Sequence, residues 1–198
     1  AAVDAGCEAI QAVPVPPEWA DLEGDLQLET FGEHFVDDVM IPMNAQQGDK
    51  LPVSAFVDMA DGTFPLGTSK FEKRGTANHL PKWKPENCIQ CNQCSLVCPH
   101  AAIRPCLLNE EENKNAPEDY DTIPAVGDGI DQYSYRLEVS SMDCLGCNNC
   151  VDACPAKEKA LEMVEFDDVA DKQARDWDYT IENVKAKPLD IDTTTVKG

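Results

Sequence analysis

The chain is short of aromatic residues, of basic residues and of long apolar runs, and each shortage narrows what it can be. Aromatics make up 7% of its 198 residues within an apolar total of 42%, enough for a core but not for a rich one. Something besides side-chain burial has to help hold the fold. Lys and Arg number 16 against 37 Asp and Glu, a formal charge of −21. That balance disfavours nucleic acid as a partner, because phosphate backbones are bound through Lys and Arg. The acidity reads as a solvated surface, with docking onto a basic patch as the alternative. No window approaches the roughly 20 consecutive apolar residues of a membrane helix, and no basic stretch leads into an apolar one at Ala1. Neither a membrane partner nor a secretory leader is expected. A start without methionine and an end on Lys197-Gly198 read as an excised fragment or a processed product. No phosphate-binding glycine loop and no nucleophile–base pair can be found, and Gly62 to Gly67 reads as a turn.

Cysteine, by contrast, is plentiful. Eight of the ten cysteines fall in two tight runs, with neighbours three or four positions apart. Such spacing is too close to staple distant segments as disulfides do, but it suits thiolates gathered around a metal centre. Reduced thiolates imply an intracellular setting, cytoplasmic or, as the alternative, an organelle matrix.

From residue 87 the chain repeats itself at an offset of 56. Cys88, Cys91, Cys94, Cys98 and Pro99 correspond to Cys144, Cys147, Cys150, Cys154 and Pro155, and Asn92 recurs as Asn148. The repeat predicts two similar half-modules related by an approximate twofold axis. Each run has the form C-x2-C-x2-C-x3-C-P, whose first three cysteines wrap three irons of a 4Fe-4S cubane while the fourth reaches the other cluster. Cys88, Cys91, Cys94 and Cys154 are therefore assigned to one cluster, and Cys144, Cys147, Cys150 and Cys98 to the second. Pro99 and Pro155 end the helical turns that carry the fourth ligands. Small residues such as Ser95, Gly146 and Ala153 let backbone N–H groups approach the sulfurs. Structural zinc also uses cysteine pairs but needs only four ligands, so two complete runs argue against it. Cys7 and Cys106 lie outside both runs and read as packed or incidental thiols. His34, His79 and His100 form no ligand pair and read as structural, while Trp19, Trp83 and Trp177 read as covering core or subunit surface.

The expected class is α+β. A two-cluster ferredoxin-like domain with an inserted loop occupies residues 87–176, a small irregular α+β linker region precedes it over residues 1–86, and an extended arm follows over residues 177–198. In the linker, Leu22 to Val39 carries an approximate helical stripe that Pro42 should halt, and Leu51 to Met59 reads as a short strand. In the second region Tyr133 to Val139 and Leu161 to Phe166 read as strands, and the charged stretch Asn109 to Asp121 as an exposed loop.

Before the first run, Phe56-Val57-Asp58 and Asp61-Gly62-Thr63-Phe64-Pro65-Leu66-Gly67-Thr68 lead into Phe71-Glu72-Lys73-Arg74-Gly75. The cysteine half resembles bacterial two-cluster ferredoxins. The whole order, from about Val15 to Lys197, resembles the Glu-Lys-Arg linker domain and ferredoxin domain of pyruvate:ferredoxin (flavodoxin) oxidoreductases. The resemblance implies an oxidoreductase that cleaves pyruvate with coenzyme A, using thiamine diphosphate, magnesium and three 4Fe-4S clusters, and hands electrons to ferredoxin or flavodoxin. It implies that this chain supplies the medial and distal clusters, with the remaining domains of the parent enzyme as partners. The thiamine site and the third cluster belong to another domain, so no catalytic residue is expected here. A free-standing electron carrier with a docking arm and a purely structural metal module are the competing readings. By itself Glu72-Lys73-Arg74 reads as structural packing rather than catalysis.

Overall fold

In the computed structural model the described residues are 2–22, 30–187, 191, 192 and 194. The chain divides into two compact units, Ala1–Phe71 and Glu72–Gly198. Residues 72–86 group with the second unit, in which the strand that follows residue 72 pairs with a strand from beyond the second cysteine run.

The first unit is built from short helical pieces. Helix α1 covers Ala2–Glu8. The stripe expected over Leu22 to Val39 lies partly on residues 23–29, outside the described residues. The described helix begins at residue 34 and passes through a π turn, Val36–Met40, into α2, Ile41–Asn44. Pro42 does not halt it. The wide turn closes Ile41 N–H on Val36 O, and Pro42 then sits at the start of α2, where a missing donor costs little. Val36, Val39 and Met40 are buried. Around them Phe31 meets Phe71 with ring centroids 5.1 Å apart, and Phe35 meets Phe64 at 5.0 Å. The strand expected over Leu51 to Met59 is instead a 3-10 helix, Val53–Met59, preceded by extended Pro52. Among the described residues this unit offers no strand for it to pair with, so the backbone satisfies itself by i to i+3 bonds such as Ala55 N–H to Pro52 O at 2.9 Å.

In the second unit, β1 (His79–Trp83) pairs antiparallel with β5 (Leu161–Glu165), and β2 (Ile103–Leu108) pairs antiparallel with β4 (Ser134–Val139). The short β3 (Ile123–Pro124) lies on the other side of β4. Pro81 and Pro105 sit in the edge strands β1 and β2, where a missing donor is tolerated. Helices α3 (Gln93–Leu96) and α5 (Asn149–Asp152) each follow a residue in the left-handed region, Asn92 and Asn148, and stand 56 positions apart.

The expected loop and the start of the expected arm both contain helix. Within Asn109 to Asp121, Asn109 and Glu112 form a reciprocal capping box that starts α4, Glu110–Lys114. Trp177 does not begin an arm but lies within α6, Phe166–Asn183. The buried face of α6 changes character along its length, from Val169 and Ala170 to Asp176 and Thr180, so an apolar periodicity fades while the helix continues. Asp176 is wholly buried and is met by Arg136 at 2.7 Å, Lys172 at 2.8 Å and Arg175 at 2.9 Å. Arg136, itself buried, also donates to Glu138 at 2.6 Å and to the Asp121 carbonyl at 2.8 Å, so one ion network fastens α6 to β4.

The core gathers Ile103, Tyr135, Leu137, Val139, Cys150 and Leu161, with Cys88, Cys94 and Cys98 packed against it. A neighbouring cluster of Ala77, Leu80, Val169 and Ala170 packs against Cys144. The thiols therefore occupy the place where a larger domain would put aliphatic side chains.

Candidate metal centres

Each cysteine run is bent around a space by the same local devices. Gln90 and Asn92 in the first run, and Gly146 and Asn148 in the second, have positive φ between 55° and 68°. These left-handed corners turn the backbone so that cysteine side chains three positions apart face one cavity. The helical turns α3 and α5 then lift the fourth cysteine away, and Cys98 N–H and Cys154 N–H close on the carbonyls of Ser95 and Val151, both at 3.3 Å. At Gly146 the bend requires glycine. A Cβ there would stand 2.8 Å from the His79 carbonyl, so only a bare backbone lets this loop lie against β1.

Two cavities result, each lined by four thiols. One is bounded by Cys88, Cys91, Cys94 and Cys154, closed by Tyr135 and Leu161. The other is bounded by Cys98, Cys144, Cys147 and Cys150, closed by Pro81 and Ile103. In both, three thiols come from one run and the fourth from the other. The thiols ring a space rather than meeting about one point. Among the described residues no three Cys, His, Asp or Glu side chains converge as ligands of a single ion would. A cubane with one thiolate per iron asks for such a ring, whereas tetrahedral zinc draws four sulfurs to about 2.3 Å of one centre.

The electrostatics are those of a site that needs cations. Burial pushes the Cys94 thiol up to about 12, with nearby Cys88, Cys150 and Cys91 adding to the effect and the Ser95 N–H opposing it. Burial likewise pushes Cys150 up to about 11, and it raises Cys144 against the pull of the Gly146 N–H. Without metal these thiols are protonated, so loading the site releases protons. Gly146 N–H donates to Cys144 Sγ at 3.4 Å and Ala102 N–H to Cys98 Sγ at 3.3 Å. Such donors favour the more negative state of a sulfur-bound centre. Gly146 and Ser95 were legible as small residues near the sulfurs, but Ala102 was not, because it lies beyond the proline that ends the run. Tyr135 was missed as well. Burial and then the neighbouring Cys88 and Cys94 hold its phenol protonated, its hydroxyl donates to Asn92 Oδ1 at 2.9 Å, and its ring meets Trp83 at 6.2 Å.

The remaining candidates fall elsewhere. Cys7 is exposed in the first unit. Cys106 lies in β2 outside both thiol rings, its thiol pushed up to about 12 by burial. His79 pairs with Glu165 at 3.0 Å and His34 with Asp38, whereas His100 reaches the rim of the second cavity. Trp177 lies under the Arg104 guanidinium at 5.0 Å, and Trp19 is exposed.

Eight thiols in two rings of four, set in a small α+β core, define an iron–sulfur protein of the two-cluster ferredoxin class. The family model for a 4Fe-4S dicluster domain matches residues 87–158, and the chain carries two 4Fe-4S clusters. A second model, a domain of unknown function called EKR, matches residues 27–77. Over its whole length the chain is 48% identical to the pyruvate-flavodoxin oxidoreductase of Klebsiella pneumoniae and 45% identical to the pyruvate:ferredoxin oxidoreductase of Moorella thermoacetica, covering 17% of each. It is also 47% identical, over 83% of its length, to 8% of the pyruvate dehydrogenase [NADP(+)] of Cryptosporidium parvum. The chain belongs to the pyruvate:ferredoxin (flavodoxin) oxidoreductase family, and it spans about a sixth of the length of those first two relatives. Among the described residues no helix is long and apolar enough to cross a membrane.

Proposed function

We propose that the chain is the electron-transfer module of a pyruvate:ferredoxin (flavodoxin) oxidoreductase. In this reading Cys88, Cys91, Cys94 and Cys154 hold one 4Fe-4S cluster, and Cys144, Cys147, Cys150 and Cys98 the other. Bound there, each cluster supplies a one-electron redox centre at low potential. The protein's part is to hold the thiolates, exclude water and set the balance between redox states. The observation that carries the reading is the lining of the cavities, three cysteines from one run with the fourth from the other. Helices α3 and α5 at an offset of 56, with the strands that flank one run pairing antiparallel with those that flank the other, support an approximate twofold relation between the halves. Crossed ligation follows from it, since each half completes its neighbour.

Thiamine diphosphate, magnesium and a third cluster belong to other domains of the parent enzyme, which are this module's partners in the cytoplasm. Ferredoxin or flavodoxin takes the electrons, as the names of the relatives indicate for those proteins. Relatives about six times as long speak against a free-standing carrier. Anaerobically loaded chain should hold about eight irons and eight sulfides, because two cubanes need four of each. It should pass electrons from dithionite to ferredoxin or flavodoxin. Tightly bound zinc in the native protein, or iron centres that dithionite does not reduce, would sink the reading.

A further inference from the structure

The two thiol rings are alike in ligands but not in how their leading loops are held. In the first run, the residue before Cys88 is Asn87, and its side chain donates to the Lys159 carbonyl at 3.3 Å, a bond made within the repeat. Its counterpart before Cys144 is Asp143, which is held from outside the repeat. Lys73 Nζ donates to Asp143 Oδ2, and Gly75 N–H donates to the Met142 carbonyl at 3.2 Å. Ser140 Oγ donates to the same Asp143 oxygen at 2.6 Å, and Cys144 N–H closes on Ser140 O at 3.0 Å. Gly75 has φ +56°, and a Cβ there would stand 2.9 Å from Phe166 Cζ and 3.2 Å from Met142 Cε. The chain from Lys73 to Gly75 thus lies flat against the segment that delivers Cys144. Arg74 is turned the other way and pairs with Glu72 at 3.3 Å.

From this geometry we infer that the Glu72-Lys73-Arg74-Gly75 segment is a clamp on the second cluster site, with Lys73 and Gly75 as positioning residues for Cys144. The clamp has two actions. The backbone bond from Gly75 and the close packing under Phe166 fix where the Cys144 loop sits. The Lys73 ammonium offsets the Asp143 carboxylate one residue from a ligand, and a charge so placed weighs on the reduction potential of that site alone. The inference rests on the assignment of Cys98, Cys144, Cys147 and Cys150 to one cluster.

The test is a redox titration of the cluster-loaded chain followed by paramagnetic resonance, with the two signals assigned beforehand in Cys147→Ser and Cys91→Ser. Lys73→Met should lower the potential of the second site, and Asp143→Asn should raise it. Each should shift the reduced-to-oxidised ratio about fivefold at fixed potential, as suits a half-exposed charge. The first site should not move, and Lys73→Arg should restore the parent value. A merely stabilising contact would move the potential in neither variant, or in the same direction in both, and either result would overturn the clamp. Should Lys73→Met fail to hold iron, Asp143→Asn still gives the sign, a rise at the second site supporting the clamp and no shift or a fall overturning it. Failure of the ligand assignment looks different, because Cys147→Ser and Cys98→Ser would then disturb different signals.

Discussion

Gly146 shows how much a single position can decide. Its φ of +67° and the His79 carbonyl 2.8 Å from an added Cβ leave no room for a side chain. Gly146→Ala should cost about 1–2 kcal/mol in backbone strain before the clash is counted. The damage should be local, with iron lost from the Cys144 ring while the Cys88 ring keeps its signal, which resonance spectra of the loaded variant can check. Gln90, at the matching corner of the first run, carries a side chain without conflict, because that side chain turns away to Pro124 O at 2.8 Å and Val126 N–H at 2.9 Å. Cysteine spacing alone was enough to single out the eight cysteines that line the two cavities, since the chemistry of a cubane dictates it. The partner of Glu112 could not be read the same way. It is buried inside what looked like a solvated acidic stretch, and Lys187 reaches it from 75 residues away at 2.6 Å. Burial pushes the Glu112 carboxyl up, but Lys187 and the N–H groups of Lys185 and Asn109 outweigh it, so its pKa in the folded chain lies below the ordinary value of 4.5. A lowered carboxylate stabilises the fold above its unfolded pKa and loses that contribution as pH falls through the folded value. Thermal melting of the parent chain and of Glu112→Gln should therefore differ at neutral pH and converge in acid below pH 4.5.

At the scale of elements, β4, β5 and the helical turns of the cysteine runs were legible, whereas α4 and α6 were missed. Tyr133, Tyr135, Leu137 and Val139 alternate, and β4 lies there, although the strand is buried on both faces. Its polar face, Arg136 and Glu138, is covered by α6 and paid for in ion pairs rather than in water, which alternation cannot reveal. The same network conceals α6 itself, whose buried stripe ends in Asp176 and Thr180 where a sequence reading looks for apolar residues. Removing one partner of such a network leaves uncompensated buried charge. Asp176→Ala should therefore destabilise the second unit by about 3–5 kcal/mol, with Arg136 left holding only Glu138 and the Asp121 carbonyl. Denaturant unfolding of the loaded chain measures this, and Lys172→Ala, which removes a cation reaching in from the surface, should cost far less. The first unit was misread for the opposite reason. Leu51 to Met59 has apolar residues enough for a strand, but a strand is a property of a pair, and none of the described residues of that unit supplies the partner.

At the largest scale, the second unit is the one that the two clusters organise. Five of the eight thiols, Cys88, Cys94, Cys98, Cys144 and Cys150, lie in or against its apolar clusters, consistent with a composition only modest in aromatics, so metal loading should be coupled to folding of this unit. On the proposed reading, the loaded chain should reduce ferredoxin or flavodoxin yet show no coenzyme A-dependent oxidation of pyruvate, even with thiamine diphosphate and magnesium added, because that reading puts the thiamine site on another domain. Pyruvate turnover by the pure chain would place the active site on this segment after all. The claim on which the rest depends is that each run completes the other's cluster, and Cys98→Ala examines it most directly. With the two paramagnetic signals assigned from single-run variants, the change should abolish the signal of the cluster held by Cys144, Cys147 and Cys150, or convert it to a 3Fe form. The signal belonging to Cys88, Cys91 and Cys94 should remain. Loss confined to the Cys88 signal, with the Cys144 signal intact, would mean that each run closes its own cluster and would contradict the account.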